Sequence, residues 1–256
     1  MSILKAEGII LRSMKMGETS KLLTLFTREH GILKVIAKGS RSRKSRFGAL
    51  LEPLNVIHFV YYHKDSRDLQ LLSAADLVET FPLLAADLER WAYACACGEL
   101  IVRAHPGVEA TPRLYPILIE TLRALNGPRS ETEARVCFWS LQMKLLGVFG
   151  IGPHLRRCLN CDAPIFPSTS PILCFHIARG GFFCEKCSSG TGALKLSATT
   201  LVLLERLQSL PAAKLWHLAI LERETHEVEI FFRSYFDFHL EEVGKLRALK
   251  FVRELT

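Results

Sequence analysis

Four cysteines restrict the fold of this chain more tightly than any other feature. They stand as Cys158-x2-Cys161 and Cys184-x2-Cys187, with 22 residues between the two pairs. A two-residue gap lets both sulfurs of a pair face one point, and two such pairs form the ligand plan of a tetrahedral structural zinc site. The intervening segment contains Pro164, Pro167, Pro171, Gly180 and Gly181. It therefore reads as loop or short hairpin with little core of its own, which a single Zn2+ would staple. A redox dithiol pair and unbound thiols are the alternative readings. Four sulfur ligands leave no vacant position, so a catalytic metal is not expected. Cys174, His154 and His176 lack partners at the same spacing and read as bystanders, and Cys95, Cys97 and Cys137 sit in apolar helical patterns as buried thiols.

The second constraint is a change of hydrophobic period at Phe81-Pro82. Before it, short runs rich in apolar and β-branched residues alternate with turn clusters. Strands are expected at Ala6 to Arg12, Ser20 to Thr27, Ile32 to Ala37, Leu54 to His63 and Leu69 to Ala74. Met14 to Glu18, Arg28 to Gly31 and Lys64 to Asp68 read as turns. Five strands in such a length suggest a small barrel or sandwich, and a long basic loop between the third and fourth fits an OB-type barrel. After Phe81-Pro82 the spacing is helical, over 84–104, 111–125 and 131–149, and again over 197–210, 212–221 and 224–242. Thr111 and Ser197 are the expected N-caps. The run Lys245 to Arg253 reads as a helix or short extension on the core. The expected fold class is thus α+β multidomain: a five-stranded OB-type barrel over 1–80, then a helical domain in two parts, 81–154 and 193–256, with the four-cysteine zinc module of 155–192 inserted between them.

The loop after the third strand carries Lys38, Arg41, Arg43, Lys44 and Arg46, five cations in nine residues with no acid. By itself such a run is either a solvated loop or a phosphate-contacting one. Charge distribution favours the second. Residues 1–80 hold 13 Lys and Arg against 8 Asp and Glu, whereas 81–256 hold 20 against 18. Arg12 and Lys15 would extend the patch along the neighbouring turn. Phe47, Tyr61 and Tyr62 are candidates for base stacking, although strand alternation sends one of the two tyrosines inward. Phe231, Phe232, Tyr235, Phe236 and Phe238 have the spacing of a helix core rather than of a stacking platform.

Other classes lack their signatures. No run of about 18 apolar residues is present, so no transmembrane helix is expected, and the N-terminus lacks the basic-then-apolar plan of a signal peptide. A cytoplasmic, nucleoid-associated protein with no membrane partner follows as the expectation. Phosphate-loop, nucleophile-elbow, zincin and dinucleotide-binding motifs are absent, and no paired-acid cluster stands out. Catalysis is unsupported, and no catalytic residue is assigned.

Taken in order, these parts resemble the bacterial RecO recombination mediators. The segment REHGILKVIAKGSRSRKSRFGALLEPL, from Arg28 to Leu54, is similar to that family's barrel. DLVETF, Asp76 to Phe81, is similar to its barrel-to-helix junction, and CLNC…GGFFCEKC, Cys158 to Cys187, to its zinc module. Cys174 has no counterpart in that pattern. The resemblance implies a protein that is not an enzyme, binds single- and double-stranded DNA and anneals complementary strands. It also implies work with RecR to load RecA onto strands coated by single-stranded-DNA-binding protein (SSB), contact with the SSB C-terminal tail, and RecF as a further partner. Two other classes stay open on the residues alone: an RNA-binding or transcription-associated zinc-ribbon factor, and a metal-dependent nuclease.

Overall fold

The first strand, β1 (Ser2–Met16), is long enough to serve two neighbours. Its N-terminal half pairs antiparallel with β4 (Val56–His63), from Ser2↔His63 to Ile9↔Val56. Its C-terminal half pairs with β2 (Ser20–Thr27), ending at Met16↔Ser20. A register shift between Ile10 and Arg12 bends the strand where it passes from one neighbour to the other. In this computed structural model β3 (Gly31–Ala37) pairs antiparallel with β2 and parallel with β5 (Leu69–Glu79), and β5 returns antiparallel to β4. The five strands close as a barrel in the order β1-β2-β3-β5-β4. The residues described are 2–127, 132–165, 172–184, 186–188, 193–218, 220–240, 243 and 246–248.

Period-two alternation fills the barrel. Ile10, Leu23, Leu25, Val35, Ala37, Ile57, Phe59, Tyr61 and Leu72 point inward and are buried, and Phe47 and Leu51 from the β3–β4 connection join them. Three expectations need correction here. Met14 to Met16 do not turn but extend β1, because Lys15 and Met16 find ladder partners in Lys21 and Ser20; the turn is Gly17 to Thr19, with Gly17 at φ +60°. β5 runs to Glu79, beyond the expected Ala74, because β4 continues to offer it partners. Phe47 is buried in the core and offers no face for stacking.

Contacts divide the chain into two units, Met1–Pro128 with Leu246–Thr256, and Arg129–Lys245. In the first, a short 3₁₀ turn (Pro82–Ala86) leads to α1 (Leu88–Ala104), whose N-cap Asp87 accepts from the Arg90 N–H at 3.1 Å. Then comes α2 (Thr111–Leu125). Thr111 is not its N-cap. It lies inside the first turn, buried, with its hydroxyl turned back to the Gly107 carbonyl at 3.3 Å. Tyr115 of α2 meets Phe26 on the outer face of β2, ring centroids 5.9 Å apart. Arg123 donates to both Glu79 carboxylate oxygens at 2.8 and 2.7 Å, tying the end of β5 to the helix.

The second unit holds α3 (Thr132–Val148), α4 (Ala198–Ser209) and α5 (Glu222–His239), with a three-stranded sheet β7-β6-β8 formed by β6 (Ile172–His176), β7 (Gly181–Phe183) and β8 (Leu194–Ser197). The cysteine segment thus contains the short hairpin that was one of its two expected forms, β6–β7, and its core is shared with α5. Phe175 and Phe182 are fully buried, and Phe175 packs 5.0 Å from Phe182, 5.1 Å from Phe231 and 5.9 Å from Tyr235. Of the α5 aromatics, Phe231, Phe232, Tyr235 and Phe236 are buried, and Phe238 is exposed. Ser197 caps α4 by accepting from Thr200 N–H. Its own N–H and hydroxyl donate to Glu227 at 2.6 and 2.8 Å. Residues 212–217 form a 3₁₀ helix (Ala212–His217) rather than the expected α-helix. Most of the basic run 245–253 lies outside the described residues.

Phe175→Ala tests whether the cysteine segment shares the aromatic core. Truncating a fully buried Phe costs about 3–5 kcal/mol. The expected result is a clearly lowered denaturation midpoint of the second unit; an unchanged midpoint would show that the sheet stands apart from α5.

Candidate nucleic-acid interface and metal centre

Residues 38–55 leave the barrel after β3 and are held by apolar side chains from beneath and by arginines from the side. Phe47 and Leu51 plug into the core. The Arg41 N–H donates to Thr19 O at 2.9 Å, and its guanidinium donates to Gly17 O and Glu18 O at 3.0 and 2.9 Å. The basic loop is thereby laid on the β1–β2 turn. Arg46 donates to the Ser73 carbonyl on β5 and lies over the Phe47 ring at 5.2 Å.

All five loop cations are exposed, but they are not equivalent. Arg41 and Arg46 spend donors on backbone carbonyls while keeping their charge. Among the described residues Lys38, Arg43 and Lys44 have no ion-pair or side-chain hydrogen-bond partner, and all three are exposed. Arg12 and Lys15 are exposed on β1. Lys15 stands beside Lys21 across the ladder, and Lys21 is neutralised by Glu52 at 2.8 Å. The structure thus places the seven sequence-selected cations on β1 and on the loop that meets the β1–β2 turn. The division between anchoring and free cations left no trace in the sequence, because it depends on which carbonyls the fold brings near.

The four knuckle cysteines converge. Their sulfurs all lie within 4.8 Å of one another, and Cys161 Sγ and Cys184 Sγ are 3.6 Å apart. A tetrahedron of sulfurs about 2.3 Å from a central zinc has edges of about 3.8 Å, so the spacing fits that ion. Local backbone makes the convergence. Cys158 N–H donates to Ala163 O at 2.8 Å, Asp162 N–H donates back to Cys158 O at 3.0 Å, and Cys187 N–H donates to Cys184 O at 2.9 Å. Outer donors face the sulfurs: Cys184 N–H to Cys158 Sγ and Asn160 Nδ2 to Cys187 Sγ, both at 3.4 Å.

The electrostatics agree. Burial pushes the Cys158 thiol up, but N–H groups of Cys161, Cys184 and Asn160 outweigh it and bring the pKa down to about 6. At Cys161 the Ala163 N–H pulls down, while the Cys184, Cys158 and Cys187 sulfurs push up, to about 12. Such a cluster stabilises one thiolate well and a full set poorly unless a cation sits among them. Cys174, His154 and His176 are not in the cluster. Cys174 pairs with Phe183 in the sheet, His154 bridges to Gly181, and His176 meets the Phe183 ring edge-on, centroids 4.5 Å apart. The Gly180-Gly181 pair has a steric reason. A Cβ at Gly180, at φ +67°, would come 2.8 Å from Tyr235 Oη, and one at Gly181 would come 3.0 Å from His154 O. Of the nearby cations, Arg156 pairs with Glu205 at 3.5 Å and Arg157 with Asp162 at 2.5 Å. Among the described residues, no helix is long and apolar enough to cross a membrane.

Two family profiles match the chain: "Recombination protein O N terminal" over residues 1–81 and "Recombination protein O C terminal" over residues 85–249. The chain is 31% identical to the DNA repair protein RecO of Pelotomaculum thermopropionicum over 242 residues, 94% of this chain and 91% of the relative. It is 30% identical to that of Shouchella clausii over 254 residues, 98% and 94% of the two chains. Against that of Bacillus subtilis it is 32% identical over 183 residues, 72% and 68% of the two chains. With both profiles together spanning nearly the whole sequence, this chain belongs to the RecO family of DNA repair proteins.

Proposed function

We propose that this protein is a recombination mediator of DNA repair. It binds single- and double-stranded DNA through an OB-type barrel, anneals complementary strands and, with RecR, promotes RecA loading onto SSB-coated single strands. The observation that carries this reading is the anchored cationic loop on a closed five-stranded barrel. Lys38, Arg43 and Lys44 would meet phosphates directly, and Arg41 and Arg46 would hold the loop in place while adding their charge. Arg12 and Lys15 would continue the contact along β1. Phosphate neutralisation gives affinity without base choice and lowers the repulsion between two strands brought to one surface. Such a function makes and breaks no covalent bond. The SSB C-terminal tail, RecR and RecF are the partners this reading implies, at the nucleoid.

Cys158, Cys161, Cys184 and Cys187 would hold one Zn2+, which supplies a rigid cross-link between two separated turns and no chemistry. The ion's place is structural: its ligands flank β6 and β7, whose aromatics build the second unit's core.

Three outcomes are expected. Replacing Lys38, Arg43 and Lys44 with Ala flattens the dependence of log K on log salt for single strands by about 2, at about 0.7 per lost contact; an unchanged slope would remove the loop from the interface. Metal analysis finds one zinc per chain, and Cys184→Ser loses it and lowers the melting temperature; a metal-free protein with four freely titratable knuckle thiols would contradict the site. Annealing of SSB-coated complementary DNA strands is accelerated by the protein. No acceleration, preference for RNA, or cleavage of labelled DNA with magnesium or manganese would overturn the mediator reading.

A further inference from the structure

The rim of the barrel beside the basic loop holds a lysine outside the set assigned to phosphate contact. In β2 the inward side chains alternate as Leu25, Leu23 and then Lys21, so the Lys21 stem lies over the mouth of the core. Its ladder partners are Lys15 on β1 and Ala37 on β3, and the residue after Ala37 is Lys38. Arg41 is fixed close by, its N–H on Thr19 O at 2.9 Å. Lys21 therefore stands among Lys15, Lys38 and Arg41, in the middle of the cationic patch.

Glu52 neutralises that centre. Its carboxylate accepts from Lys21 Nζ at 2.8 Å. The Lys21 side chain is 16% exposed and that of Glu52 55%, so the carboxylate is the outer member of the pair. Residues 38–51 contain no acid, and Glu52 is the first to follow the five loop cations. The loop does not depend on this ion pair for its place. The same stretch is fixed by Leu51 in the core and by Asn55, whose side-chain amide donates to Ala49 O and Leu50 O at 3.2 and 3.0 Å. A carboxylate and a phosphate offer an ammonium the same thing, an anionic oxygen that accepts charge-assisted hydrogen bonds. A lysine already neutralised by its own chain has no counterion to release when DNA arrives, so it adds nothing to salt-dependent affinity. Glu18, in the β1–β2 turn, is an acid at the same end of the barrel without this arrangement: it is exposed and has no ion-pair partner among the described residues.

We propose that Glu52 is a built-in phosphate mimic that withholds Lys21 from DNA and so sets an upper limit on the affinity of the patch. This rests on the DNA-binding reading above and adds to it a residue that weakens binding. Phosphate contacts accumulate without regard to sequence, and each one makes a bound strand harder to release. A protein that must take up any strand and then give it away gains from such a limit. With Glu52 in place the patch binds through the loop cations and the unpaired lysine of β1, and Lys21 stays with its own carboxylate.

The test is titration of labelled oligothymidylate over a salt series. Glu52→Gln keeps the side chain's shape and removes its charge. It is expected to steepen the slope of log K against log salt by about 0.7 and to tighten binding about fivefold at about 0.1 M salt, the increment of one added phosphate contact. Lys21→Met leaves the slope of the parent protein unchanged and abolishes the gain in the Glu52→Gln background. Glu18→Gln removes the same charge from the same end of the barrel and leaves the slope unchanged. An unchanged slope in Glu52→Gln, a gain that survives Lys21→Met, or an equal gain from Glu18→Gln would overturn the proposal. Should Glu52→Gln lower the melting temperature, the unaltered protein decides, by lysine acetylation with and without saturating oligothymidylate. Lys21 is expected to keep its reactivity while Lys38 is protected; protection of Lys21 as strong as that of Lys38 would overturn the proposal. The reading beneath it fails separately, by an unchanged salt slope in the Lys38, Arg43 and Lys44 variant.

Discussion

Barrel closure by β1 is the constraint on which the first unit depends. One strand gives its first half to β4 and its second to β2, with the shift at Ile10 to Arg12 between them. Among the described residues each barrel strand then has a neighbour on both sides, which limits the edge open to another chain. Closure also fixes the register, and register decides every surface property discussed above. A slip of one residue would bury Lys34 and expose Val35. Because Ile10, Leu23, Val35, Ile57 and Leu72 must all point inward together, Arg12, Lys34 and Tyr62 must all point outward together.

The basic loop inherits its order from the same core. A free loop carrying this many cations would repel itself and lose considerable entropy on meeting a polyanion. Here Phe47 and Leu51 are part of the barrel interior, and Arg41 is fixed to two turn carbonyls. Ordering is thus largely done before any ligand arrives, which favours affinity by preorganisation. In the second unit the cysteine cluster and the aromatic cluster have the same relation. The sheet that the second knuckle follows places Phe175 against Phe182 and against Phe231 of α5.

Much of this was legible in the sequence where one periodicity dominated. β2 was expected at Ser20 to Thr27 and lies there, since Leu23, Leu25 and Thr27 alternate with outward residues. The cysteine quartet was legible because ligand spacing is itself geometry, and alternation required one of Tyr61 and Tyr62 to turn inward, which the structure shows to be Tyr61. The failures have physical causes too. Met14 to Met16 read as a turn because nothing local reveals that Lys21 and Ser20 will pair with them. The third strand beside the β6–β7 hairpin was hidden by Pro and Gly that punctuate the connections, while the sheet is held by contacts with α5, far away in sequence. The roles of Arg41 and Arg46 arise only when segments distant in sequence are set side by side.

The central claim is that DNA lies on the barrel's loop side and not on the cysteine-bearing unit. Lysine footprinting measures this directly, by comparing acetylation of each lysine in the free protein and with saturating oligothymidylate. The account predicts protection of Lys15, Lys38 and Lys44, with Lys186, Lys195 and Lys214 of the second unit unchanged. Protection confined to the second-unit lysines, or none at Lys38 and Lys44, would contradict it.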